Sequence, residues 1–187
     1  MEEMKLVMGV VGPQGSGKGT VVKYLVEKYG AEQLRFGQPL QDILDRLYIP
    51  TSRPNYAKLF EGLNSSFGAE ILVQAVMKDA EKHSANFIAI EGFRRWPEVE
   101  SFREIPNFTL VFINAEPEIR YKRMIQRNEK AGEKDLTYEQ FLDQEKLSTE
   151  VDIMDIGKTA DFVLNNNGTF DELDWQIDEI IKTVKKG

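Results

Sequence analysis

Short apolar runs alternate with longer segments of helical periodicity along most of this chain. Five runs bounded by polar or turn residues predict buried strands at 5–11, 34–36, 87–90, 110–113 and 162–164. Between them, apolar residues spaced three and four apart predict helices at 18–29, 39–47, 55–63, 69–81, 97–103, 117–128, 138–147 and 170–185. Because strands and helices alternate, we expect a three-layer α/β/α fold with a five-stranded parallel sheet.

Two segments interrupt this alternation. The first, 37–82, contains three helical patterns instead of one, and the second, 128–155, begins with a polar loop. Each follows a predicted strand, so both should lie at the carboxyl edge of the sheet, where doubly wound folds bind their ligands. We expect residues 1–187 to form one domain, with a helical arm over about 37–82 and a short helical lid over about 128–155.

Composition narrows the class of protein. The 187 residues include no cysteine and one histidine, which excludes disulfides and argues against a zinc site. The net charge is −7, and residues 133–187 carry 14 acidic against 6 basic side chains, which argues against a nucleic-acid partner. Apolar runs fall far short of the roughly 20 residues that a membrane span needs. The expectation is a cytoplasmic protein without a membrane partner, in an oligomeric state that the sequence leaves open.

A glycine-rich segment leaves the first predicted strand and enters the first predicted helix. Residues 12–20 read Gly-Pro-Gln-Gly-Ser-Gly-Lys-Gly-Thr. Glycines let backbone N–H groups turn inward, the helix adds the positive end of its dipole, and Lys18 supplies an ammonium group for phosphates. We call this segment the P-loop and predict that it binds a nucleoside triphosphate. The residues expected to contact it are Gly12, Gln14, Gly15, Ser16, Gly17, Lys18, Gly19 and Thr20.

The hydroxyl that usually follows the P-loop lysine comes one residue later in this chain. Position 19 is glycine, and Thr20 carries the hydroxyl expected near Mg²⁺. The run Gly-Ser-Gly-Lys-Gly-Thr resembles the loop of adenylate kinase and the other nucleoside monophosphate kinases, in which the metal is held largely through water. As an architecture, the resemblance covers nearly the whole chain. It implies ATP as the phosphate donor and Mg²⁺ as the accompanying metal ion.

The third predicted strand ends in a charged segment, in which residues 91–95 read Glu-Gly-Phe-Arg-Arg. Phosphoryl-transfer enzymes place a carboxylate for Mg²⁺ at such a strand end, although a solvated turn would have the same composition. The segment resembles the Asp-Gly-Phe-Pro-Arg signature of nucleoside monophosphate kinases. On that alignment Glu91 stands in place of the aspartate, and Arg95 falls on the arginine that binds the phosphate of the acceptor.

Three arginines follow the fourth predicted strand on one helix. The spacing of Arg120, Arg123 and Arg127 predicts that they share a face. Guanidinium groups pair with phosphate oxygens and stabilise the charge of a transferring phosphoryl group. We choose Arg123 and Arg127 for this role, whereas Arg120 could equally belong to an exposed face and pair with neighbouring acids.

The second half of the chain also resembles small adenylate-kinase-related and dephospho-coenzyme-A-kinase-like proteins. These have an arginine-bearing helix, a short helical lid and an Ala-Asp pair before the last strand, which corresponds here to Ala160 and Asp161. The turn at 165–168, Asn-Asn-Asn-Gly, follows that strand. Asn166 could contact the nucleotide base through its backbone, and an ordinary turn is the alternative.

The arm lacks one arginine that the resemblance leads us to expect. Nucleoside monophosphate kinases carry an arginine for the acceptor phosphate where this chain has Gln41. If the same phosphate is bound, Arg35, Arg46 or Arg53 must replace it. We choose Arg53, which lies between two predicted helices.

Together these features predict an ATP-dependent kinase that transfers the γ-phosphate of Mg-ATP to a small acceptor, a nucleoside or deoxynucleoside monophosphate. The predicted catalytic residues are Lys18, Arg95, Arg123 and Arg127, with Arg53 and Arg95 for the acceptor and Thr20 and Glu91 for the metal. One alternative is a kinase of a hydroxyl acceptor, similar to dephospho-coenzyme A kinase. Another is an ATP-binding regulatory module without turnover, since Glu91 replaces an aspartate and no arginine follows Arg127.

Overall fold

A computed structural model describes residues 5–127, 134–144 and 151–185. Its single described sheet is built from five parallel strands in the order β2-β3-β1-β4-β5. The strands are β1 (Leu6–Val11), β2 (Glu32–Arg35), β3 (Phe87–Glu91), β4 (Phe108–Asn114) and β5 (Phe162–Asn165). Helices connect them on both faces, so the predicted three-layer α/β/α fold with a five-stranded parallel sheet is confirmed.

The described helices are α1 (Lys18–Tyr29), α2 (Gln38–Arg46), α3 (Arg53–Phe67), α4 (Ile71–Lys82), α5 (Trp96–Arg103), α6 (Pro117–Arg127), α7 (Tyr138–Gln144), α8 (Val151–Lys158) and α9 (Phe170–Val184). Except for α8, they correspond to the predicted segments. Within the described ranges, no helix has the length and apolar character needed to cross a membrane.

Two apolar clusters, one on each face of the sheet, form the core. On one face α4, α5 and α8 bury Val76, Phe102 and Ile156 against β1, β3 and β4. On the other face α1 and α9 bury Leu25 and Ile177. Side chains alternate between the two faces along each strand, and helices cover both faces of the central strands. Because the strands are parallel, their carboxyl ends lie at the same edge of the sheet. That edge carries the P-loop, which follows β1.

Three elements differ from the sequence-based expectation, among them α3, which spans Arg53–Phe67 in place of the predicted 55–63. Strand β2 begins at Glu32, two residues before the predicted start, although Glu32 and Gln33 are polar. Helix α8 was not predicted, and its Ile153 and Ile156 are buried against the sheet. The predicted lid range of 128–155 therefore runs into a helix of the core layer, and residues 128–133 and 145–150 of that range lie outside the described part.

The predicted arm also divides into two parts. Helix α4 buries Leu72, Val73, Val76 and Ala80 and belongs to the core. Helix α3, in contrast, has no fully buried side chain among those described and packs on α2 and α4. Helix α2 also buries Leu40 and Leu44, so among the helices of the predicted arm only α3 lacks a fully buried side chain in the described part.

A polar cluster joins the end of α1 to α9. The Asp178 carboxylate accepts hydrogen bonds from Tyr24 Oη at 2.9 Å, Tyr29 Oη at 2.6 Å and Lys28 Nζ at 2.8 Å. Burial alone would raise the pKa of Asp178, but the hydrogen bonds from Lys28, Tyr29 and Tyr24 outweigh it and hold this pKa below its ordinary value. The ionised carboxylate therefore stabilises the folded state.

Replacing Asp178 with asparagine should lower the free energy of unfolding by about 1 kcal/mol near pH 7. A depressed pKa contributes stability above the unfolded-state value of 3.8, and this contribution is lost as the pH falls through the folded-state value. The difference between wild type and variant in urea unfolding should therefore shrink below about pH 4.

Asp174→Asn is the matched control, one turn earlier on α9. Burial and the neighbouring Asp171 and Asp178 raise the pKa of Asp174, so its negative charge opposes folding. This variant should be as stable as wild type or slightly more stable. Equal destabilisation by both substitutions would contradict the assignment.

A candidate phosphate-binding site

The P-loop joins β1 to α1 at the carboxyl edge of the sheet. Gly15 has a φ of +76° and Gly17, the residue before α1, a φ of +107°, a region that L side chains rarely adopt. A Cβ on Gly17 would lie 2.2 Å from Asn166 Nδ2. Glycine is therefore required at position 17 for two reasons: its backbone conformation, and the close contact with Asn166 in the turn between β5 and α9.

Lys18 lies against the loop that precedes it. Its Nζ donates to the carbonyl oxygens of Gly12 at 2.6 Å and Pro13 at 3.0 Å. Ser16 is fully buried, and its Oγ has no hydrogen-bond partner within the described ranges. A buried hydroxyl without a partner is costly, so this atom is available to a ligand that enters the loop.

The remaining P-loop positions differ in exposure. Gln14 donates from Nε2 to Met124 Sδ at 3.1 Å, which ties the loop to α6. Gly19 is exposed, and a Cβ there would have no heavy atom within 4 Å. Thr20 is half-buried in the first turn of α1. The phosphate-binding role of these positions stays a prediction.

Arg120 is buried beneath the P-loop. It is 4% exposed, donates from Nε to Ala115 O at 2.9 Å and from Nη1 to Gln14 O at 3.3 Å, and lies 5.4 Å from the Phe141 ring centroid. It is therefore not part of an exposed helix face. Instead it links α6 to the P-loop and to α7, a role that helical spacing alone could not indicate.

Arg123 lies one helical turn further along α6. The side chain of Asn166 lies between it and the P-loop. Its Nη2 donates to Asn166 Oδ1 at 3.4 Å, whereas its Nη1 is buried and has no hydrogen-bond partner among the described residues. Burial lowers the pKa of the guanidinium. A buried cationic N–H without a partner is suited to an anionic ligand. Arg127, at the end of α6, is exposed.

Asn166 closes the P-loop from the β5–α9 turn. It is 5% exposed, its backbone N donates to Asn114 O at 2.8 Å, and its Nδ2 donates to Ser16 O at 2.7 Å. The sequence predicted a backbone contact to nucleotide at this turn. What the structure adds is a side-chain contact to the P-loop itself, which joins residues 150 positions apart.

Glu91 ends β3 beside β1. Its Oε1 accepts from Gln33 Nε2 at 2.8 Å and pairs with Arg35 Nε at 2.8 Å. For Oε2 the described residues provide no partner. They also contain no group of three His, Cys, Asp or Glu side chains that could hold a metal. A metal ion here would need phosphate and water oxygens for most of its coordination, which is how Mg²⁺ usually binds in phosphoryl-transfer sites.

Arg95 begins the turn into α5 and is held by Glu98. The buried Glu98 carboxylate accepts from the backbone N of Arg94 at 2.6 Å, the backbone N of Arg95 at 3.1 Å and Arg95 Nε at 3.1 Å. The Arg95 guanidinium lies 4.5 Å from the Phe60 ring centroid on α3. Sequence reasoning missed Glu98, which the Pro97-Glu98 pair at the start of a helix could have revealed as a capping residue.

The arm places acidic and neutral groups where the resemblance predicts an arginine. Gln41 accepts a hydrogen bond from the Tyr56 hydroxyl and donates to Asp45 at 2.8 and 2.9 Å. Burial, followed by the charges of Asp45 and Asp42, raises the pKa of Tyr56. Arg53 is the first residue of α3, and its side chain lies outside the described part. The neutral side chain at position 41 therefore offers no positive charge to an acceptor phosphate.

A parallel sheet in the order β2-β3-β1-β4-β5 with a glycine-rich loop after β1 defines a P-loop kinase-like fold. The chain belongs to the family described as AAA domain (AAA_18), whose model matches residues 8–151. It is similar to the UPF0200 protein of Sulfurisphaera tokodaii, at 27% identity over 186 residues, or 95% of this chain and 97% of that protein. A UPF0200 protein of Pyrococcus abyssi is also 27% identical, over 96% of this chain and 97% of that protein.

Solved structures of small-molecule kinases share this fold. A shikimate kinase from Bacteroides thetaiotaomicron superposes with a TM-score of 0.64 at 14% identity, over 96% of this chain and 98% of that one. A gluconokinase from Sinorhizobium meliloti superposes with a TM-score of 0.60 at 14% identity, over 98% and 95%. At such low identity the likeness establishes the P-loop kinase fold and leaves the acceptor open.

Proposed function

We propose that this protein is an ATP-dependent small-molecule kinase that transfers the γ-phosphate of Mg-ATP to a nucleoside or deoxynucleoside monophosphate. The observation that carries the proposal is the buried Arg123 Nη1, which has no partner within the described ranges and lies one side chain from the P-loop. A guanidinium in this position can stabilise negative charge on a transferring phosphoryl group.

On this proposal the P-loop holds the donor. Lys18 exchanges the Gly12 and Pro13 carbonyls for phosphate oxygens, and the backbone N–H groups of residues 14–20 surround the same phosphates. Thr20 and Glu91 would hold Mg²⁺, largely through water, and the ion would neutralise charge on the β- and γ-phosphates. The backbone of the turn at Asn166 would lie beside the base.

Transfer depends on position and charge. Arg123 and Arg127 would stabilise the charge that spreads over the transferring group. A phosphate acceptor is already an anion, so the reaction needs no side chain to remove a proton. Arg95, supported by Glu98 and Phe60, would pair with two phosphate oxygens of the acceptor, and α2 and α3 with Arg53 would enclose the rest of it.

Release of ADP over a panel of acceptors tests this function directly. The panel should contain the nucleoside and deoxynucleoside monophosphates, the nucleosides, dephospho-coenzyme A, shikimate and gluconate. A monophosphate as the best acceptor supports the proposal. If a hydroxyl compound reacts best, the protein is a kinase of the alternative class. ATP binding without ADP release from any acceptor identifies a regulatory module.

Replacing Arg95 with alanine should lower kcat/KM for the best monophosphate by roughly 10- to 100-fold, because a hydrogen bond to a charged group contributes about 1.5–3 kcal/mol. The KM for ATP should change by less than about 3-fold, since Arg95 lies on the acceptor side. Arg95→Lys should also be impaired, because an ammonium group cannot pair with two oxygens at once.

Arg103→Ala is the matched control for Arg95, since Arg103 is the last residue of the helix that Arg95 precedes and pairs with Asp161 and the Thr159 carbonyl away from the candidate site. It should retain the acceptor kinetics of wild type. Unchanged monophosphate kinetics in Arg95→Ala would refute the acceptor assignment.

A further inference from the structure

The side-chain amide of Asn166 bridges two groups that the proposed reaction needs. Its Nδ2 donates to the Ser16 carbonyl at 2.7 Å, and its Oδ1 accepts from Arg123 Nη2 at 3.4 Å. We infer that Asn166 is a positioning residue that fixes the P-loop at Ser16 and the guanidinium of Arg123 relative to each other. The inference rests on the proposed function and deepens it, because it concerns how the donor site is aligned.

The chemistry of an amide makes this bridge directional. One end of the group only donates and the other only accepts, so donation to Ser16 O requires that Oδ1 face away from that carbonyl. Arg123 can only donate, and it lies on the side where Oδ1 must be. A carboxylate of the same size could keep the contact to Arg123 but would place an oxygen against the Ser16 carbonyl.

The surroundings prevent the amide from moving away. Asn166 is 5% exposed, and its backbone N is held by Asn114 O at 2.8 Å where β4 and β5 end. On the other side, the space beside Gly17 is so narrow that a Cβ there would lie 2.2 Å from Nδ2. The absence of a side chain at position 17 is therefore what admits the amide into the P-loop.

The contact with Asn166 uses one end of the Arg123 guanidinium and leaves its positive charge uncompensated by Asn166. Nη2 is directed by a neutral oxygen, and Nη1 has no partner in the described part of the chain. A neutral acceptor orients the guanidinium without cancelling its charge, whereas a carboxylate would pair with that charge. Asparagine therefore suits this position better than aspartate if Arg123 must act on phosphate.

The test is a double-mutant cycle between Asn166 and Arg123, with ATP dissociation constants and kcat measured separately. Asn166→Ala removes both hydrogen bonds, so ATP should bind about 3- to 10-fold more weakly through the loosened P-loop and kcat should fall about 10-fold through Arg123. In the Arg123→Ala background the same substitution should still weaken ATP binding but change kcat by less than about 2-fold.

Asn166→Asp separates the two ends of the amide. It should weaken ATP binding as much as alanine does, because the donor is lost, and it should depress kcat at least as far, because the carboxylate pairs with Arg123. Asn167→Ala is the control: the neighbouring side chain accepts from the Glu116 backbone N, and the variant should match wild type in both quantities within about 2-fold. Thermal unfolding of every variant reports on folding.

Equal losses of kcat from Asn166→Ala in the two backgrounds would overturn the inference, as would unchanged ATP affinity in both Asn166 variants. If Asn166→Ala does not fold, the isosteric Asn166→Asp decides by the same criteria. Failure of the proposed function has a different signature: wild type then releases no ADP with any acceptor. The effect of Asn166 on ATP affinity remains measurable in that case and is still expected.

Discussion

Replacing Lys18 with alanine should reduce phosphoryl transfer by about 10³-fold or more, the loss expected when a preorganised charge at a developing anion is removed. The Lys18 ammonium lies within the P-loop, donating to Gly12 O and Pro13 O, and becomes a side-chain cation in contact with the donor phosphates in the proposed complex. The measurement is the steady-state rate of ADP release with the best acceptor, with ATP binding followed by calorimetry.

The matched control for this experiment is Lys23→Ala on the same helix. The side chain of Lys23 is 72% exposed and pairs only loosely with Glu27 at 3.7 Å. It should leave activity unchanged, and both variants should unfold at nearly the same temperature as wild type. Turnover by Lys18→Ala within about 3-fold of wild type would refute the donor site.

Replacing both Arg123 and Arg127 with alanine should lower kcat by about 10²- to 10³-fold while the ATP dissociation constant rises by less than about 10-fold. The physical reason is that charge spreads over the equatorial oxygens only as transfer proceeds, so a guanidinium stabilises the transition state more than bound ATP. Arg123 should account for most of the loss, because its Nη1 is buried without a partner in the described residues, whereas Arg127 is exposed at the end of α6.

Lys122→Ala controls for the loss of positive charge on this helix. Lys122 is exposed on α6 between Tyr121 and Arg123, and its removal should change kcat by less than about 2-fold. A second outcome would reassign the arginines: if the double variant weakens ATP binding and leaves kcat intact, they bind the donor and take no part in transfer.

Much of the fold and the position of the P-loop could be predicted from the local sequence. Helix α1 begins and ends where the pattern places it, at Lys18 and Tyr29, because the preceding glycines and the following Gly30 determine its ends within a few residues. The central strands β1, β3 and β4 were found because each is a short apolar run covered on both faces. The predicted start of β2 falls two residues after the observed one, because Glu32 and Gln33 are polar residues of an edge strand.

Helix α8 shows where the pattern fails. Its eight residues place Ile153 and Ile156 against the sheet, and Gly157 lets it approach so closely that a Cβ would lie 2.6 Å from the Phe112 ring. A segment this short has little helical stability of its own and forms through packing. Because the local sequence does not indicate α8, the predicted lid range of 128–155 includes the first residues of this helix.

By itself, the sequence determined the parallel three-layer fold and the position of the P-loop, because both depend on backbone preferences and periodicities that act over a few neighbouring residues. Only the tertiary structure decided that Arg120 is buried and that Asn166 reaches Ser16 from 150 residues away. A helical repeat states which side chains share a face, but the direction of that face depends on the elements packed against it. The roles of individual charged and polar side chains at this edge follow from contacts between distant segments, which the local pattern does not contain.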